Sequence, residues 1–328
     1  MKKTLIASAI AATLSVNAFA DNPQSEAADH AAQLAAKIDA MPTVYGTIEL
    51  VHVSTDDDTN TNHEFADNGS TLGIMHEHAI SEGVTAFAKA EFEFRADESP
   101  NDNNDADKRI INELDEAYIG LRGDFGSVQV GSDETVYDWI DVLDTNEHTG
   151  LGGGIAAQKE GDNLQYVSPA IADGLTLGLT APIDSDTNFG GALAAKYAID
   201  NLEVALAYAI GRDNSGAANT GGAEDTIGLG VSFSMDALTL LAQYETQKDF
   251  ADLYGVMGLY TMGQNVFALG YQMQSFDGME DESSIYVQAL HNLSDNAYLY
   301  LEYLTQTDVE GAKNSDLDTL AIGATYKF

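Results

Sequence analysis

Residues 115–162 read DEAYIGLRGDFGSVQVGSDE followed by TVYDWIDVLDTNEHTGLGGGIAAQKEGD. The first part predicts two short strands joined at the tight turn Asp124-Phe125-Gly126. The second is a connection of about 28 residues, where a hairpin loop usually has 2–5. Connections of that length in compact proteins are functional or disordered. This one holds Glu134, Asp138, Asp141, Asp144, Glu147 and Glu160, the single tryptophan Trp139, and the glycine-rich run Gly150 to Gly154.

Outward from this stretch the chain alternates with a period of two. Val84 to Arg95 puts Ala86, Ala88, Ala90, Phe92 and Phe94 on one face and Phe87, Lys89, Glu91, Glu93 and Arg95 on the other. Ile227, Leu229, Val231 and Phe233 alternate with glycine, serine and threonine, and so do Leu320, Ile322, Ala324, Tyr326 and Phe328 with smaller or polar residues. One-sided apolar faces over about ten residues fit strands that cross a membrane. Short turns such as Ser81-Glu82-Gly83 and Met235 to Ala237 alternate with long polar connections: Thr55 to Gly69, Ala96 to Asn112, Glu134 to Asp162, Arg212 to Ala223 and Thr307 to Asp316. Counting runs gives 16 strands, beginning near 43, 70, 84, 114, 127, 162, 175, 189, 202, 224, 238, 252, 265, 282, 297 and 317.

A soluble sandwich would show the same alternation with its faces reversed. Three features favour a membrane barrel. The opening MKKTLIASAIAATLSVNAFA has a basic start, an apolar core and an Ala18-Phe19-Ala20 cleavage site, the pattern of an export signal. An antiparallel sheet of this size loses its edges only by closing, and closure at 16 strands leaves an aqueous channel. Aromatic residues, Tyr45, Phe92, Tyr303 and Phe328 among them, fall near strand ends, as interfacial girdles require. The expected fold is all-β: a 16-stranded antiparallel transmembrane barrel whose third outer loop, Glu134 to Asp162, folds into the lumen. The expected organisation is a signal peptide over 1–20, a short helical, coiled-coil-like segment over 21–42, and the barrel over 43–328. Asn22, Pro23 and the spacing of Ala27, Ala31, Leu34, Ile38 and Met41 carry the helix expectation. Cleavage would leave 328 − 20 = 308 residues.

Asp and Glu number 53 against 14 Lys and Arg, a formal charge of −39. Such a chain is no partner for nucleic acid, which needs clustered basic residues. The acid excess reads either as a solvated surface suited to a salty medium or as a field that draws in cations. Cysteine is absent, which removes disulfides, thiolate metal sites and a Cys nucleophile.

Four segments resemble the Gram-negative general porins: Val44-Tyr45-Gly46-Thr47, Ala117 to Gly126 (AYIGLRGDFG), Leu164 to Pro169 (LQYVSP) and the ending Ala324 to Phe328 (ATYKF). The resemblance implies an outer-membrane homotrimer of 16-stranded barrels, each narrowed by the third loop to an eyelet that sets loop acids against basic residues of the opposite wall. Tyr137-Asp138 and Asp144 match the loop pattern, and Glu147 stands beside His148, where a second acid would fall. The positions of the basic wall residues are instead Thr47, Thr71, Asp115 and Ser132. Lys159 and Arg95 remain as basic candidates. The expected constriction is therefore acidic, from Asp144, Glu147, Asp141, Asp138, Asp115 and Asp133, with Glu49, Thr47, Thr71, Lys89, Glu91 and Ser132 lining the pore. Tyr326 and Phe328 resemble the terminal signal read by the barrel-assembly machinery.

The function expected is a passive, cation-preferring diffusion pore for small hydrophilic solutes and ions. A sugar-specific channel, and an adhesin, phage receptor or structural role, are the alternatives. The expected partners are the lipid bilayer, lipopolysaccharide and two further copies of the chain. No enzyme chemistry is expected: there is no local Ser/His signature, and Asp115 and Glu116 should point to opposite faces of a strand and form no dyad. His76-Glu77-His78 lacks further zinc ligands and reads as barrel wall. No cofactor is expected. Asp56-Asp57-Asp58 lacks the glycine and terminal glutamate of a calcium loop; it and Asp102 to Asp107 alike read as solvated outer loops that offer only weak divalent-cation binding.

Overall fold

The computed structural model describes residues 41–97, 111–152, 154–156, 158–184, 189–211, 224–309 and 315–328. The signal and helix expectations over 1–20 and 21–40, and Asp102 to Asp107, lie outside them. The strands are β1 (Thr43–Asp56), β2 (Thr61–Asp67), β3 (Thr71–Ser81), β4 (Val84–Phe94), β5 (Ile111–Gly123), β6 (Gly126–Ser132), β7 (Asn163–Val167), β8 (Leu175–Pro182) and β9 (Phe189–Ile199). They continue as β10 (Leu202–Gly211), β11 (Thr226–Met235), β12 (Leu238–Gln247), β13 (Ala251–Met262), β14 (Asn265–Phe276), β15 (Glu282–Ser294), β16 (Ala297–Thr307) and β17 (Leu317–Lys327).

Apart from β2 and β3, which both pair with β1, each strand pairs antiparallel with its successor, and β17 returns to β1 in register from Thr47↔Lys327 to Asp56↔Asp318. Phe328 completes the seam: its N–H donates to the Gly46 carbonyl at 3.0 Å, and the Gly46 N–H donates back at 3.2 Å. Through this seam the sheet closes on itself. β2 and β3 are one wall strand with a break, since β1 pairs with β2 at its outer end and with β3 at its inner end. The 17 segments thus occupy 16 places in the barrel.

Thr55 to Gly69 is not the long loop expected. β1 runs on to Asp56 and turns within four residues, where the Asp57 carboxylate accepts from the Thr59 and Asn60 N–H groups at 3.0 and 2.6 Å. β2 reads TNHEFAD and is exposed on both faces over most of its length, so it shows no apolar alternation. At the break the Asp67 carboxylate accepts from Gly69, Ser70 and Ala96 N–H, each at 3.1 Å. Gly69 lies in the left-handed region with φ +83°.

Greasy side chains face outward. On β16, Leu299, Leu301 and Tyr303 are 45%, 45% and 39% exposed, while Tyr300, Glu302 and Leu304 between them are 3%, 0% and 5%. A soluble sandwich would bury the leucines and expose the glutamate. Two clusters of buried apolar residues instead lie inside the barrel, between its inner wall and the 133–162 loop.

Candidate functional site: the loop in the lumen

The loop starts with a cap. Thr135 Oγ1 accepts from the Tyr137 N–H at 3.1 Å, and the Asp138 carboxylate accepts from the Thr135 N–H at 2.8 Å, a reciprocal capping box on the 3-10 helix Val136–Ile140. Asp138, expected as a lumen charge, also accepts from Gln158 Nε2 at 2.6 Å, so its carboxylate is turned to the loop itself. Asp141 caps the other end and is half-buried.

The helix presents Val136, Tyr137 and Ile140 to the wall. They pack on Phe189, Ala192 and Ala194 of β9 and on Ala205, Ala207 and Ala209 of β10. On β11, a Cβ at Gly228 would lie 2.8 Å from Ile140 side-chain carbons, and one at Gly230 would strike the Ile140 backbone. The inner wall is made of small residues here because the loop occupies the space that larger ones would need. Trp139 packs over Gly178, with the Lys196 ammonium 5.3 Å from its ring centre. Further on, Leu143 and Leu151 enter a second apolar cluster with Leu241, Met257, Ala268, Tyr286 and Leu304. Burying a side chain of this size stabilises by about 1.5–3 kcal/mol.

Polar wall residues then fasten the loop backbone at successive points. Thr180 Oγ1 accepts from Val136 N–H at 3.0 Å, Gln243 Oε1 from Leu143 N–H at 3.4 Å, and Gln272 Oε1 from Gly152 N–H at 3.1 Å. Two buried glutamates do most. Glu245 accepts from the Tyr137 hydroxyl at 2.8 Å, Gln243 Nε2 at 3.0 Å and Ile155 N–H at 3.3 Å. Glu302 accepts from the N–H groups of Glu147, His148 and Thr149 at 2.7, 3.0 and 2.9 Å, from the Tyr286 hydroxyl at 2.7 Å and from Gln288 Nε2 at 3.0 Å. Five donors on one carboxylate offset the cost of burying its charge. Burial, and then the Glu245 charge, push the Tyr137 hydroxyl far above its ordinary range, so it stays a donor.

The loop tip reaches the break in the second wall strand. Asn68 Nδ2 donates to the Glu147 carbonyl at 2.7 Å, which leaves its Oδ1 to accept from His148 Nδ1 at 2.6 Å. Burial pushes the His148 imidazole below its ordinary pKa. The Glu147 carboxylate accepts from the Tyr298 hydroxyl at 2.5 Å. Desolvation raises its pKa, and the nearby Glu302 charge adds to this. Asp144 is exposed to the lumen; desolvation, and then the Asp138 charge, hold its carboxyl above the usual range. Glu134 and Glu160 at the loop base are raised for the same first reason, as is Asp133, which also takes a hydrogen bond from Gln129.

β3 to β5 carry a second charged group. Ala90 pairs with Ala117 but Phe92 pairs with Leu114, so two residues of β5 bulge opposite Glu91. The expectation that Asp115 and Glu116 point to opposite faces is therefore wrong. A β-bulge breaks strict alternation, and carboxylate oxygens of Glu91, Asp115 and Glu116 lie within 4.8 Å of one another. Lys89 Nζ contacts Glu116 and stands 3.6 Å from Glu91. The Tyr45 ring centre is 5.8 Å from the same ammonium.

The remaining expected residues are dispersed. Thr47 and Thr71 hydroxyls hydrogen-bond at 3.2 Å, and Glu49 sits half-buried above them, its N–H donating to Ser70 Oγ at 2.9 Å. Ser132 ends β6, half-buried. Lys159 pairs with Asp162 at 3.1 Å and Asp184 at 3.5 Å at the neck of the loop, away from Asp144 and Glu147. Arg95 follows β4, half-buried. Tyr326 faces outward, 54% exposed. Sequence reasoning passed over Glu245 and Glu302 as anchors. The available signal was a lone carboxylate on the wet face of a strand otherwise rich in Leu and Tyr.

Comparison with known proteins agrees with this architecture. A family model described as Gram-negative porin matches residues 7–312. A "Monosaccharide porin" of Halomonas sp and the "Major outer membrane protein" of Halomonas elongata are each 28% identical, with all of both chains covered. Among solved structures, the anion-selective porin of Comamonas acidovorans superposes with a TM-score of 0.72 at 18% identity, over 88% of this chain and 99% of that one. Salmonella typhi OmpF, solved with daunomycin, gives 0.70 at 17%, over 88% and 98%. OmpT of Vibrio cholerae in its trimer form gives 0.66 at 15%, over 88% and 99%.

Proposed function

The chain belongs to the Gram-negative porin family, and from that premise we propose that it is a passive, water-filled channel that prefers cations and admits small hydrophilic solutes. Its place is the outer membrane, and its family and fold are those of channel proteins and not of enzymes. The observation that supports cation preference is the sign of the lumen charges. The loop carries Asp144 and Glu147, and on the wall of β4 and β5 Glu91, Asp115 and Glu116 outnumber Lys89. Unit charges about 4 Å apart interact by about 1 kcal/mol in water and about 4 kcal/mol at an effective dielectric near 20, so a narrow lumen discriminates by sign. Likeness to an anion-selective porin at 18% identity concerns the barrel, not the charges in it. Self-association as a homotrimer, contact with lipopolysaccharide and delivery by the assembly machinery through Phe328 belong to the same proposal.

Planar-bilayer recording of the purified mature protein across a KCl gradient tests it. The zero-current potential should have the sign of potassium preference, and the opposite sign rejects the reading. A second reading, a sugar-specific channel, is favoured by the full-length likeness to a "Monosaccharide porin". Concentration-dependent current block by a monosaccharide at millimolar levels would select it over general diffusion.

A further inference from the structure

Lys89, expected only as one of the pore-lining residues, stands inside a group of carboxylates. The bulge between β4 and β5 gathers Glu91, Asp115 and Glu116 round one point, and Glu91 is 8% exposed there. The Lys89 ammonium already occupies that point: it contacts Glu116, lies 3.6 Å from Glu91, and has the Tyr45 ring beside it at 5.8 Å. A short strand segment pins it, since Lys89 pairs with Tyr118 on one side and Met75 on the other. The ammonium cannot diffuse away as a free ion can, yet it meets the same carboxylates.

We propose that Lys89 is the selectivity-setting residue of this wall, a tethered cation that fills the bulge-built carboxylate cluster and competes there with permeating cations. It lowers the cation preference below what the carboxylates alone would give. It also keeps divalent ions from settling among three carboxylates, which are hard oxygen ligands suited to them. The inference rests on the channel reading above and adds a residue to it.

The test is Lys89→Gln in planar bilayers, beside the unchanged protein and Lys248→Gln. Lys248 lies on the exposed turn between β12 and β13, paired with Asp249 at 3.2 Å, and its replacement removes the same charge away from the lumen. Lys89→Gln should raise the potassium-over-chloride permeability ratio at least twofold and let millimolar calcium chloride reduce the potassium current. Lys248→Gln should leave both near the starting values. Glu116→Gln should lower the ratio, which reads the same pair from its other side if Lys89→Gln does not assemble. Lys89→Gln channels that keep the original ratio, or Glu116→Gln channels that keep it where Lys89→Gln does not assemble, overturn the role of Lys89 and leave the porin reading standing. An equal shift in Lys248→Gln also overturns it, because overall charge and not position would be acting. Preparations of the unchanged protein that conduct no ions overturn both readings.

Discussion

The N–H of Glu147 donates to the buried carboxylate of Glu302 at 2.7 Å, while the Glu147 side chain turns to the Tyr298 hydroxyl at 2.5 Å. One acid fixes the backbone from which the other is presented. Holding that geometry needs an ionised acceptor, because three successive backbone donors and two side-chain donors converge on Glu302.

Glu302→Gln should therefore release the loop tip. The amide brings a donor into a ring of donors, and removing one partner of a buried charged network costs about 3–5 kcal/mol. Single-channel recordings should show a larger, noisier conductance, and protease should cut between residues 140 and 160 sooner than in the unchanged protein. Equal noise and equal cleavage would mean that the apolar contacts alone hold the loop.

The selectivity itself should depend on acid. Desolvation raises the Asp144 and Glu147 carboxyls above the ordinary range, so both lose charge earlier on acidification than a free carboxylate near 4. The permeability ratio should fall as pH drops through that raised range, and Asp144→Asn with Glu147→Gln should lower it at pH 7 and flatten the curve. The sign for stability is opposite. A carboxylate whose folded pKa is raised weakens the fold when ionised and stops doing so as pH falls, so Asp144→Asn should not destabilise at pH 7.

Gly230→Val tests the fit of the loop on the wall. Its side chain would displace the Ile140 backbone, and overpacking of this kind costs about 1–3 kcal/mol. The barrel should still form, with a lower thermal midpoint in detergent and an altered conductance.

Orientation is tested from the outside by Leu301→Arg on β16. A lipid-facing arginine near the midplane costs about 2–4 kcal/mol. Refolding into vesicles against urea should show that loss, and Leu301→Ala a much smaller one.

Most strands were legible in the sequence because lipid on one side and water on the other impose a period of two. Hairpins such as β10–β11 and β16–β17 begin at or within two residues of where alternation puts them. β2 was hidden because exposure on both faces leaves no apolar period. The bulge at Asp115 and Glu116 was hidden because counting residues cannot show where two strands fall out of step. Asp144 and Glu147 were expected by likeness, whereas the alanines and glycines of β9 to β11 looked like featureless wall. Their meaning appears only once Tyr137 and Ile140 lie on them.

Those small residues have a consequence for traffic. The apolar contacts of the loop fall on β8 to β16, so the side chains that hold it come from one flank of the barrel. In the proposed channel, Glu49, Glu91 and Lys89 belong to the opposite flank, so screening of solutes would rest with one side of the cylinder and not with its full circumference.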